Sequence, residues 1–110
     1  MSITEKAQLL ADEIVETTEY KEMVSAEKKV HEDETASSLI EDFQSLQKRL
    51  QMSQSNGKQI STKQQKKMQT LQNKMNNNPL IKTLLEKQKS FNQVMQTVNQ
   101  VIGSNLAGNN

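Results

Sequence analysis

From Pro79 to Ile102 apolar side chains return at every helical interval, with Asn78 ahead of the run and Gly103 behind it. Ile81, Leu84, Phe91, Met95, Val98 and Ile102 follow the alternating three- and four-residue spacing of a helix seam, with Gln88 as its one polar member. Leu80, Leu85, Val94 and Val101 widen that seam. Such a helix is a rod of about 36 Å at 1.5 Å per residue. So broad an apolar face is hard to cover within a chain of 110 residues. The pattern predicts a closing helix that binds protein, first of all a second copy of the chain. Leu84, Phe91, Met95, Val98 and Ile102 are the expected oligomer interface.

The rest of the chain reads as shorter helices. Ser2 and Glu5 have the spacing of a capping box, ahead of Ile3, Ala7, Leu10 and Ile14. Thr17 and Thr18 are candidate caps for a second segment carrying Tyr20, Met23, Ala26 and Val30, unless the two segments are one bent helix. Asp33 or Thr35 can cap a third, whose seam is Ala36, Leu39, Phe43, Leu46 and Leu50. Ser55, Asn56 and Gly57 supply a turn, and Ser61 to Gln64 or Thr62 to Gln65 offers a further capping box. The fourth helix has a thin apolar set, Met68, Leu71 and Met75. Asn78 and Pro79, the only proline, suit the cap and first turn of the last helix. The fold class is therefore all-α: a small bundle of four to five helices with a long C-terminal helix, completed by dimerisation. A single domain is expected over residues 1–103, with a flexible tail over residues 104–110.

Composition narrows the chemistry. With 33% hydrophobic and 3% aromatic residues the chain cannot build a thick core, so long helices must share apolar seams. Tyr20, Phe43 and the methionines read as packing groups. There is no cysteine, which removes disulfides, thiolate metal sites and cysteine nucleophiles. The glycines at 57, 103 and 108 are too scattered to cradle a phosphate. His31 with Glu32, Asp33 and Glu34 forms a short cluster, better read as a solvated helix junction than as a metal site. No nucleophile with its base and no cofactor loop is visible, so neither an enzyme nor a cofactor is expected. Hydrophobic runs are far short of the roughly 20 residues that span a bilayer, and no signal-peptide pattern opens the chain. A cytoplasmic protein is the expectation.

The net charge of +1 hides a division. Residues 1–55 hold 6 Lys and Arg against 12 Asp and Glu, or −6; residues 56–110 hold 8 against 1, or +7. Opposite halves can orient helix packing within or between chains, or offer a basic face to an acidic partner. Lys63, Lys66, Lys67 and Lys74 on the fourth helix are the candidate contacts for nucleic acid. Against that use stand the absence of arginine beyond Arg49 and the placement of Phe91 inside the apolar seam.

Glu19-Tyr20-Lys21 followed by Ala26, the segment from Leu39 to Gln47 with Asp42-Phe43, the turn at Gly57, and Asn78-Pro79-Leu80-Ile81 opening the last periodic helix follow one another along the chain. In that order and spacing they resemble the YlbF/YmcA-like proteins of low-GC Gram-positive bacteria, including the YheA-like branch. The resemblance implies a non-enzymatic helical regulatory adaptor that forms dimers or larger assemblies. Its partners would be other members of the family or the endoribonuclease RNase Y, with effects on messenger-RNA maturation, competence, biofilm formation and sporulation. Some relatives carry cysteines linked to iron–sulfur binding in a C-terminal extension; this chain has none. The family offers no catalytic residues to map.

Overall fold

A computed structural model describes residues 1–108 of the chain. Five helices follow one another: α1 (Ile3–Ile14), α2 (Thr18–Glu32), α3 (Glu34–Ser55), α4 (Thr62–Asn76) and α5 (Pro79–Gly108). No strand occurs among the described residues.

Each helix begins where a short polar side chain can satisfy the first free N–H groups. Ser2 and Glu5 form a reciprocal capping box on α1, and Ser61 and Gln64 do the same on α4. The Thr17 hydroxyl accepts from the Tyr20 N–H at 3.2 Å, so α1 and α2 are separate helices. Asp33 adopts an extended backbone and its carboxylate accepts from the Ala36 N–H at 2.9 Å. That one residue is the whole break between α2 and α3. Asn78 accepts from the N–H groups of Leu80 and Ile81, and Pro79 fills the first helical position, where its missing N–H costs nothing.

Gly57 closes α3 with φ +78°. Its N–H donates to Gln54 O at 3.0 Å, and the Lys58 N–H donates to Ser53 O at 2.9 Å. This pairing caps the last carbonyls of a helix through a left-handed residue, which glycine adopts without steric cost. By contrast, Gly103 ends nothing. The helix expected to stop there continues to Gly108, because a glycine inside a helix costs only about 1 kcal/mol and the i to i+4 bonding carries on through it. Residues 104–108 of the expected tail are thus helical; residues 109 and 110 lie outside the described residues.

Two compact units share the chain. The first joins residues 1–27 to residues 84–108, and the second is the continuous segment 28–83. In the first unit α2 and α5 meet through an edge-on contact of Tyr20 and Phe91, with ring centroids 5.5 Å apart. An ion pair from Lys87 Nζ to Glu22 at 2.8 Å lies beside it. Ala26 and Leu84 are the buried apolar groups of this unit. The second unit is centred on the α3–α4 hairpin and buries Val30, Ala36, Leu46, Leu50 and Ile81. Ile81 is only 1% exposed and is the largest fully buried side chain among the described residues.

Candidate protein-interaction surfaces

The first surface lies on α5. At 100° per residue, Phe91, Val94, Met95, Val98, Val101, Ile102 and Leu106 fall within an arc of about 140°, one continuous apolar stripe. Its coverage fades along the helix. Phe91, Val94, Met95 and Val98 are half-buried, whereas Val101, Ile102 and Leu106 are 56%, 48% and 65% exposed. Of the residues expected at an oligomer interface, Leu84 is buried within the chain and Phe91 packs on Tyr20. Met95 and Val98 are partly available, and Ile102 is open. The free part of the seam therefore sits further toward the C-terminus than the interval pattern alone suggests, and it includes Leu106, which the sequence reading left in the tail. Helix α1 of the same unit has no buried residue and exposes Ile3, Leu9 and Leu10.

The second surface is a groove of about 730 Å³ between α3 and α4, entirely within the second unit. Lys63, Lys66, Lys67 and Lys74 all line it. Their spacing of three, one and seven residues keeps them along one side of α4. Across from them, α3 contributes Asp42, Leu46 and Arg49, residues four and three apart that share one helix face. The groove thus sets five cations against one carboxylate, over an apolar floor of Leu46 and Leu71. Arg49 is the member that sequence reading missed. It lies in the acidic half of the chain, and only the hairpin turn brings it opposite the lysines.

The Glu22–Lys87 ion pair shifts the ionisation of its lysine. Lys87 is held above its ordinary value, first by its hydrogen bond to Glu22 and then by the charge of that carboxylate. In the cluster at the α2–α3 junction, Asp33 serves as the cap of α3. Among the described residues no group of three or more His, Cys, Asp or Glu side chains is placed to hold a metal ion. Among them, too, no helix is long and apolar enough to cross a membrane.

These features define a class of all-helical protein that offers an uncovered apolar helix face and a separate basic groove. A model of the family described as "Control of competence regulator ComK, YlbF/YmcA" matches residues 3–107, and the chain belongs to that family. It is 33% identical over 102 residues to a UPF0342 protein of Pediococcus pentosaceus, covering 93% of this chain and 90% of the relative. A UPF0342 protein of Desulfitobacterium hafniense is 30% identical over 105 residues, covering 96% and 80%. Two chains of solved structure share the fold. One comes from the Bacillus subtilis complex of RicA with RicF, with a TM-score of 0.78 at 19% identity, covering 97% of this chain and 95% of that one. The other is a Bacillus stearothermophilus protein of unknown function (DUF964), with a TM-score of 0.80 at 20% identity, covering 96% and 92%.

Proposed function

We propose that this chain is a non-enzymatic regulatory adaptor that works by binding protein, associates with a second copy of itself, and joins other family members and RNase Y in controlling RNA processing. The observation that carries the reading is the fading coverage of the α5 stripe. Its last turns hold Val101, Ile102 and Leu106 side by side and 48–65% exposed, and a contiguous uncovered apolar strip on a small protein marks a contact surface. Membership of the family supports the regulatory role, and the RicA–RicF complex supports protein as the partner class. The test is capture of the tagged chain from its native host after nuclease treatment, followed by titration of purified candidates. Recovery and direct binding of RNase Y or another family member supports the adaptor. Failure of both to bind the purified chain removes the RNA-processing role.

A second reading has one observation in its favour, the gathering of Lys63, Lys66, Lys67 and Lys74 with Arg49 in one groove. In that reading the groove follows a nucleic-acid backbone. It requires affinity for RNA that falls steeply with salt and is lost when the four lysines become glutamate.

A further inference from the structure

We propose that the α3–α4 groove receives helix α1 of a second copy, an acidic helix face seated in a basic channel. The inference rests on the self-association reading and adds which segment docks, and where.

Length is the first argument. Lys63 and Lys74 stand 11 positions apart on α4, a basic rim of about 17 Å at 1.5 Å per residue. A single phosphate group meets one or two of those lysines. An extended polyanion meets them all. Helix α1, at 12 residues, is about 18 Å long and matches the rim.

The groove floor then separates an acidic helix from a nucleic-acid strand. Leu46 and Leu71 offer apolar contact, and no aromatic ring lines the groove to stack on a base. Asp42 places a carboxylate that repels phosphate.

Helix α1 carries the opposite pattern. Leu9, 48% exposed, has Glu5 four positions before it, with Asp12 and Glu13 three and four after it. One apolar side chain is therefore ringed by three carboxylates on one helix face. Even the exceptions correspond: Lys6, three positions before Leu9, is the base among these acids, as Asp42 is the acid among the groove's bases. The capping box forms the first turn locally, so little ordering remains to be done on docking. Insertion of α1 from one copy into the groove of another joins the two chains through this contact.

Charge exchange tests this. In the groove variant Lys63, Lys66 and Lys67 become Glu; in the helix variant Asp12 and Glu13 become Lys, which spares the Glu5 cap. All five side chains are exposed, and circular dichroism confirms that both variants fold. In sedimentation velocity the wild-type chain should self-associate more weakly as salt rises from about 50 to about 500 mM. Each variant alone should show a dimer Kd raised about tenfold or more. An equimolar mixture rebuilds both contacts and should recover the wild-type Kd to within about threefold.

A wild-type chain that stays monomeric, two variants that associate like wild type, or a mixture that fails to recover would each overturn the proposal. Loss of binding to a labelled single-stranded RNA in the groove variant, with association unchanged in both, overturns it in favour of nucleic acid. If Ile102→Asp abolishes association while both charge variants leave it intact, the groove assignment falls and the self-association reading stands.

Discussion

Replacing Ile102 with aspartate tests the α5 surface most directly. Fully burying a Val, Leu or Ile side chain is worth about 1.5–3 kcal/mol. Val101, Ile102 and Leu106 still expose about half of themselves, so each has about 0.7–1.5 kcal/mol left to gain. Together they offer about 2–4 kcal/mol per protomer, and about 4–8 kcal/mol across a twofold pair, before the costs of ordering and lost motion. Ile102→Asp removes a third of that contact and brings two carboxylates into an apolar seam with no base assigned to meet them. A loss of about 3 kcal/mol is the expected result, or roughly a hundredfold weaker Kd. The assay is sedimentation velocity over a concentration series, with circular dichroism as the folding control, since the monomer leaves Ile102 48% exposed and should tolerate the change. An unchanged sedimentation coefficient at every concentration would refute the argument that this stripe is a contact surface.

Three further changes probe the scaffold. Ile81→Ala at the 1% exposed centre of the second unit should cost about 3–4 kcal/mol in urea unfolding, against about 1 kcal/mol for Ile81→Val; equal costs would mean that the site collapses around the missing atoms. Gly57→Ala should cost about 1–2 kcal/mol although nothing lies within 4 Å of its added Cβ, because φ +78° is strained for any L side chain; a stabilised variant would show that the turn has moved to negative φ. Glu22→Gln should lower the Lys87 titration seen by NMR, since the folded value is raised by that carboxylate. The sign follows from this direction: the contribution is fully present below the unfolded value of Lys87 and is lost as pH rises through the folded one. A pH-stability curve identical in wild type and Glu22→Gln through the alkaline limb would remove the link.

Most of the fold was legible because each helix carries its own start signal. Ser2 and Asn78 cap the helices their spacing announces, and Thr17, Asp33 and Ser61 are each one of the two candidates their segments offer; these are local hydrogen bonds that need no tertiary partner. Gly57 was legible for the same reason, whereas Gly103 misled, since a lone glycine weakens a helix without stopping it. The interface was less legible. Periodicity places Leu84, Phe91 and Ile102 on one face, yet the neighbours that bury Leu84 and pair Phe91 with Tyr20 come from elsewhere in the chain.

The sequence by itself determined the helical class, the candidate caps, the apolar stripe of α5 and the opposite charges of the two halves, because spacing and side-chain type decide these within one or two turns. Only the tertiary structure decided which part of the stripe stays uncovered, and that Arg49 and Asp42 stand across a groove from Lys63, Lys66, Lys67 and Lys74. Those outcomes depend on contacts between residues far apart in the chain, which no local interval encodes.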